Sequence, residues 1–402
     1  MCKNLWIGNN PPIGFVGLDP ICIDGSGSLN SIEHFGKYTE IQFAQFAISS
    51  FRNWPIILDY IFRFTNGECL FEIRFNSIDK YFSIPKFYRL IYLFSNGSIN
   101  FLSIRNYEDK PGEYVIRFTA TRRSFNNDPG WSFGILWDGK NESYLRSFIE
   151  SIESQTEHNN AYEIIVCGPE IINSYKTEIR FIESDDVSEL YSNISRKKNK
   201  IIKSARYNNI CITHNRYELA SNFIKSFESI KYEYDVCIIP QKLKNTDVRV
   251  PDWVSQASDQ KLTSNYLIDY GEYSPYQYIP GGLVISKRDI LLANPFNELA
   301  TWDMAEDIEL SQRLTNLGYQ FKLNKKTHAN VLSLRKEILD DFKVANIDRF
   351  YENIDLFSIE NRVTEGKNLK KYFFLAVNLF KNDPKLLLKV ILKRMGFRNE
   401  SE

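Results

Sequence analysis

Apolar and polar positions follow a different rhythm in three parts of the chain. Up to about residue 128, runs such as CLFEIRF (69–75) and YVIRFT (114–119) are dense in aromatic and β-branched residues and read as strands. The group NNDPG (126–130) reads as a linker or turn. From there the pattern changes. WSFGILW (131–137) is a short apolar strand, and after it Leu145, Phe148, Ile149 and Ile152 recur at helical spacing on one face. YEIIVC (162–167), closed by Gly168 and Pro169, is the next strand. Further strands are predicted at 179–182, 209–213 and 235–240, and helices at 195–207 and 217–230. Strands alternating with helices predict an α/β domain over 129–334 with a parallel-type sheet between helices. An α+β domain is expected over 1–128 and a helical region over 335–402.

Length and charge narrow the function. A chain of 402 residues exceeds what one core usually supports, which agrees with more than one domain. Lysine plus arginine and aspartate plus glutamate both number 50, so no global field draws in nucleic acid, and no such partner is expected. No stretch approaches the roughly 20 apolar residues of a spanning helix, and the first residues lack an apolar leader. The six cysteines show no C-x-x-C spacing, and Cys167, Cys211 and Cys237 sit in apolar runs, as buried reduced thiols do. A cytoplasmic protein is expected. Toward the end, Phe373, Phe374, Leu375, Val377 and Leu379 are interleaved with Lys370, Lys371, Lys381, Lys385, Lys389, Lys393 and Arg394. That pattern suits either a basic helix on an anionic membrane surface or a helix pair packed on the body of the protein.

The stretch richest in chemistry is YIPGGLVISK (278–287), followed by NPFNE (294–298) and WDMAEDIELSQRL (302–314). Gly281 and Gly282 before an apolar strand allow a close backbone approach that a Cβ would obstruct. Glu306 and Asp307 open a helix whose apolar positions Ile308, Leu310 and Leu314 exclude both acids. The helix N-terminus is expected to keep such a carboxylate ionised, and an ionised carboxylate facing a pocket can take a proton from a hydroxyl. An acidic first turn that merely caps its helix is the plainer reading of the pair alone.

The order of these features resembles the acceptor half of family-two-like inverting glycosyltransferases with a GT-A fold, over about residues 131–334. The resemblance implies Asp307 as general base, with Glu306 beside it against the acceptor. It puts the acceptor, a glycan or lipid-linked glycan, near Tyr278, Gly281, Gly282 and Trp302. On the donor side it implies a nucleotide sugar whose base and ribose meet Trp137, Asp138 and Gly168. Lys198, Lys203, Arg206, His214 and Arg216 are then candidates for its diphosphate. GT-A enzymes typically carry an Asp-x-Asp-like triplet after the central strand, whereas this chain has Asn215 in the run ITHNRY (212–217). An amide is a poorer ligand for hard cations than a carboxylate. Two readings stay open: Asn215 with His214 and His328 holds a divalent cation, Mn2+ or Mg2+, or His214, Arg216 and neighbouring lysines neutralise the diphosphate without one. The expected product is a surface polysaccharide or glycan. A GT-A module that binds sugar nucleotide or glycan without turnover and a nucleotidyltransferase are the alternatives.

Residues 32–74 faintly resemble the rear half of a class I methyltransferase-like domain, without the glycine-rich cofactor loop that should begin one. A truncated domain used for packing or partner binding is expected there, with no activity of its own.

Overall fold

Two sheets carry the candidate site and its support. The computed structural model describes residues 3–19, 32–107, 110–124, 126–155, 160–171, 175–184, 193–256, 265–300, 305–334 and 342–344. All of them fall within the unit Met1–Ile354.

The first sheet contains β1 (Asn4–Ile7), β2 (Val16–Leu18), β3 (Tyr38–Phe43), β4 (Thr65–Asn76), β5 (Ile99–Asn106) and β6 (Glu113–Thr121). Its order is β2-β1-β3-β4-β6-β5, parallel as far as β4, with β6 antiparallel to both neighbours. Helices α1 (Trp54–Arg63) and α2 (Ile84–Phe94) connect the strands. The strand-like runs read from the sequence fall inside β4 and β6. Aromatic rings fill this core: Phe62 of α1 stacks on Phe71 of β4, and Phe71 on Phe118 of β6, at 4.8 and 4.9 Å between centroids. Where β1 ends, Gln45 closes over Gly8. A Cβ at Gly8 would lie 2.3 Å from its side-chain oxygen.

The second part of the chain begins with β7 (Trp131–Leu136), α3 (Glu142–Glu153), β8 (Tyr162–Cys167) and β9 (Ile179–Ile182). Then follow α4 (Ile194–Ser204), β10 (Asn209–His214), β11 (Tyr217–Leu219), α5 (Phe223–Glu228), β12 (Val236–Ile238) and β13 (Gln241–Leu243). Next come β14 (Val254–Gln256), β15 (Asn265–Leu267), β16 (Gln277–Tyr278), β17 (Leu283–Lys287) and α6 (Arg288–Ala293). The last elements are α7 (Glu306–Asn316), β18 (Phe321–Leu323), β19 (Ala329–Val331) and β20 (Phe342–Val344).

Seven of these strands form one sheet in the order β18-β12-β17-β10-β7-β8-β9. All are parallel except β17, which runs against β10 and β12. The expected α/β architecture is therefore present. Every residue of β7 is buried, as a central strand covered on both faces requires. Gly134 in its middle lets α4 settle onto the sheet, because a Cβ there would meet Ile201 at 2.2 Å. The four apolar residues expected on one face of α3 are its buried residues.

Two local expectations fail. The stretch 217–230 is not one helix: its first three residues form β11, which pairs antiparallel with β19, and α5 starts at Phe223. Residues 342–344, expected to be helical, form β20 beside β15. A ladder with a distant strand overrides local spacing in both places. No helix among the described residues is long and apolar enough to cross a membrane.

Charge holds the two sheets together. Asp59 and Arg63 on α1 pair with each other at 2.8 Å, and Lys322 of β18 also donates to Asp59. Arg63 reaches Glu233 and Asp235, each at 3.1 Å, and Arg122 and Arg123 meet the same two acids at 2.8 and 3.1 Å. Asp59, Arg63, Asp235 and Lys322 are all buried.

Candidate active site

Ligands in open α/β sheets bind beyond the carboxyl ends of the parallel strands, where the strand order reverses. Here the reversal lies between β7 and β10, since β8 and β9 extend the sheet to one side and β17, β12 and β18 to the other. At this edge β7 ends at Leu136, β8 at Cys167 and β10 at His214. The antiparallel β17 starts there, with Leu283 opposite Thr213. Trp137, Asp138, Gly168, His214, Asn215, Gly281 and Gly282 are thereby brought to one edge.

Gly282 accepts from the His214 N–H at 3.2 Å and from the Thr213 hydroxyl at 3.2 Å. Its neighbour Gly281 donates its N–H to Asp307 Oδ2 at 2.8 Å. The Ile308 N–H donates to Asp307 Oδ1 at 2.8 Å, so both oxygens of the carboxylate are oriented. A Cβ at Gly281 would lie 2.9 Å from Glu306 Oε1 and 3.0 Å from Asp307 Oδ2, and one at Gly282 would lie 2.4 Å from the Tyr217 hydroxyl. The pair of glycines is what lets the loop close on the head of α7. Ala305, just before that helix, has φ 55°, the left-handed conformation that L residues adopt at a cost.

Lys198, on α4, completes the cluster. Its buried ammonium donates to Glu306 Oε1 at 2.9 Å and to the Gly281 carbonyl at 2.9 Å, and lies 4.7 Å from the centre of the Phe296 ring. Asn199 donates to the Phe296 carbonyl and to Glu298, which fastens the loop after α6 to the same helix. Burial raises the Asp307 pKa above its ordinary value and the charge of Glu306 adds to this, partly opposed by Lys198 and the two N–H donors. Desolvation and a like charge next door thus work against the helix N-terminus, which favours the ionised form. Tyr278 is buried beside Asp307, and both its burial and that negative charge push the phenol pKa up.

Several donor-side expectations shift. Trp137 belongs to the buried core, and its Nε1 donates to the Lys140 carbonyl at 2.7 Å. Asp138 is exposed and accepts from the Lys140 N–H. Gly168 packs against the turn after β7, where a Cβ would lie 2.4 Å from the Trp137 carbonyl oxygen. His214 is held neutral, its pKa lowered to about 3 by burial first and then by Lys198, Arg216 and Lys197. It therefore adds no charge of its own, and the positive field at the end of β10 belongs to those three cations.

Lys203 and Arg206 stand away from this edge, because α4 runs opposite to the parallel strands and its last turn lies at their amino ends. Arg206 pairs there with Glu163, the second residue of β8. Lys198 sits about 7.5 Å earlier along the helix axis and on a different face. Lys197, one position before it, is also buried, and the sequence marks it: Lys197 and Lys198 both fall on the helical stripe of Ile194, Ile201 and Ile202, which packs inward.

The residues considered for a divalent cation do not meet. The Leu332 N–H donates to the Arg216 carbonyl, whereas the Ala220 N–H donates to the His328 carbonyl. His328 therefore lies at the far end of the β11–β19 ladder from Asn215, about 13 Å of extended chain away. It instead lines a polar cavity of about 390 Å³ with Lys242, Lys244, Asn245, Thr246 and Asp247. Asn215 donates to the Lys140 carbonyl at 3.3 Å, joining the ends of β10 and β7. Among the described residues no group of three His, Cys, Asp or Glu side chains is placed to hold a metal ion. Among the described residues the site lacks the hard carboxylate set such an ion prefers. Trp302 lies outside the described residues.

No family model matches the chain, and no curated protein matches it either. Solved structures do. One is GalNAc-T7 with UDP, GalNAc and Mn2+, at 13% identity and a TM-score of 0.41, covering 60% of this chain and 47% of that one. Another is S. aureus TarS, at 13% identity and a TM-score of 0.33, covering 62% of this chain and 43% of that one. A shorter form, S. aureus TarS 1–349 in complex with UDP-GlcNAc, is 15% identical with a TM-score of 0.37, covering 62% of this chain and 71% of that one. The chain thus spans less than half the length of the first two.

Proposed function

We propose that the chain is an inverting glycosyltransferase with a GT-A domain over 129–334, taking a sugar from a nucleoside diphosphate sugar. The observation that carries this reading is Asp307, a half-buried carboxylate oriented by two backbone N–H groups and set at the switch-point edge of the sheet. In the transfer step the acceptor hydroxyl oxygen forms a bond to the anomeric carbon while the bond to the diphosphate oxygen breaks. The electron pair leaves with the diphosphate, and the hydroxyl proton passes to Asp307. Attack from the face opposite the leaving group inverts the anomeric centre. Gly281, Gly282 and Tyr278 surround the acceptor, which we take to be a growing surface glycan. Lys198 holds Glu306 and the glycine loop in place and is a positioning residue.

Arg216 and Lys197 meet the diphosphate charge. Arg216 hydrogen-bonds Tyr217, while its Nε is buried without an acceptor. A buried unpaired guanidinium N–H is costly, and an incoming phosphate oxygen would satisfy it. Arg216→Ala is expected to weaken binding of the matching nucleoside diphosphate at least ten-fold in calorimetry with chelator present. Equal affinity in the two proteins would remove Arg216 from the donor site, and no binding of any nucleoside diphosphate would sink the donor half of the proposal.

The base must be ionised to accept the proton, so turnover should rise with pH through the raised Asp307 pKa. The acid limb is expected above the ordinary aspartate range. Glu306→Gln removes the neighbouring negative charge, which should move that limb to lower pH. An unmoved limb would mean that Asp307 is not the group being titrated.

The first sheet is read as a methyltransferase-like remnant without catalysis. Its support is the doubly wound β2-β1-β3-β4 order, with Gln45 closed over Gly8 where such folds bind ligands. The basic segment 370–397 lies outside the described residues. Its composition supports docking on an anionic membrane at the cytoplasmic face.

A further inference from the structure

β5 forms one edge of the first sheet. It is eight residues long, hydrogen-bonded among the described residues only to β6, and exposed along almost its whole length. Edge strands are ordinarily protected by brevity, proline, inward charges or a covering element. This one carries a single charge, Arg105, and no proline.

Its register gives it an apolar side. Ile99, Phe101 and Ile104 lie opposite Ala120, Phe118 and Ile116, alternate residues of β6, so all three share one face despite the irregularity at Leu102. That is the face beneath α1 and α2, where Phe118 stacks on Phe71. The helices stop short of it: Phe101 is 59% exposed, and Tyr92 on the outer side of α2 is 60% exposed. Tyr88, Leu102 and Ile104 are exposed beside them. The opposite face is charged instead, with Glu72 3.2 Å from Arg117 and 3.8 Å from Arg105.

We propose that β5 pairs antiparallel with β5 of a second copy, making a two-fold dimer with one continuous sheet across the interface. The Ser98 carbonyl and the Tyr107 N–H both bond to β6. Counting inward from these ends across the irregularity leaves the backbone groups of Phe101, Ile104 and Asn106 directed away from it. A two-fold axis between Leu102 and Ser103 then sets Phe101 opposite Ile104 of the other copy and Arg105 opposite Asn100, so no like charges meet. The exposed side chains of Tyr88, Tyr92, Ile99, Phe101, Leu102 and Ile104 amount to roughly 600 Å² per copy. Two such patches reach the lower end of stable interfaces, about 1,200 Å² in total. Isologous pairing uses the same patch twice and closes on itself, which an open edge paired at random does not.

The test is sedimentation velocity of the full chain from below the micromolar range to about fifty-fold above it. The wild type is expected to be a dimer. Phe101→Lys combined with Ile104→Lys is expected to be a monomer with unchanged circular dichroism and a melting temperature that no longer rises with concentration. A wild type that stays monomeric throughout, or a dimer that survives the double substitution, overturns the proposal. Register is read from mixed oxidation: Phe101→Cys and Ile104→Cys chains should cross-link together and not alone, because only the mixed pair comes within disulfide reach. A dimer that cross-links in neither case overturns the pairing.

Discussion

Asp307→Asn is expected to lower turnover about 10²- to 10⁴-fold while leaving donor affinity and the melting temperature close to wild type. The substitution keeps the shape of the side chain and one carbonyl oxygen, so the Gly281 or Ile308 N–H still finds an acceptor. It removes the only feature the proposed step needs, a group that can take the hydroxyl proton. Glu306 cannot stand in, because its carboxylate is held by the Lys198 ammonium at 2.9 Å. Steady-state kinetics with saturating donor would show the loss in kcat with little change in donor KM. A mutant that retains turnover within a few-fold of wild type would leave Asp307 as a cap for its helix and no more.

Asp59→Asn is expected to destabilise the fold by about 3–5 kcal/mol, the usual cost of leaving buried charge without its partner. Burial alone would raise the Asp59 pKa, yet Arg63 and Lys322 together hold it well below the ordinary value of 3.8. In the variant both cations stay in the seam between the sheets, Arg63 with Glu233 and Asp235 and Lys322 without its carboxylate. The pH dependence has a definite sign. A carboxyl whose folded pKa is depressed contributes stability that is fully present above its unfolded pKa and lost as pH falls below it. Urea unfolding between pH 3 and 7 should show wild-type stability falling on the acid side more steeply than that of Asp59→Asn. Parallel curves would mean that the network contributes nothing through Asp59.

Much of the second sheet is legible in the sequence because its elements announce themselves locally. β7 is an unbroken apolar run, α3 shows four apolar residues on one face, and the glycines before β17 and the acids heading α7 stand in readable order. What escaped depends on register and direction. Tyr217–Leu219 has no strand signature of its own and becomes β11 through pairing with β19, more than a hundred residues away. The same register separates His328 from Asn215, which sequence proximity to a strand end cannot reveal. Lys203 and Arg206 look equivalent to Lys198 on paper, but Lys203 lies in the last turn of an antiparallel helix and Arg206 just past its end, at the amino ends of the strands. The seam of Asp59, Arg63, Glu233, Asp235 and Lys322 joins parts of the chain up to 263 residues apart, and no local pattern marks it.

The decisive measurement is release of nucleoside diphosphate from a panel of sugar nucleotides, with glycan acceptors present and product configuration followed by NMR. One donor is expected to turn over, with inversion at the anomeric carbon and with the activity lost in Asp307→Asn. Turnover with retained configuration, or a panel in which no sugar nucleotide binds or reacts, would contradict the assignment of an inverting transferase.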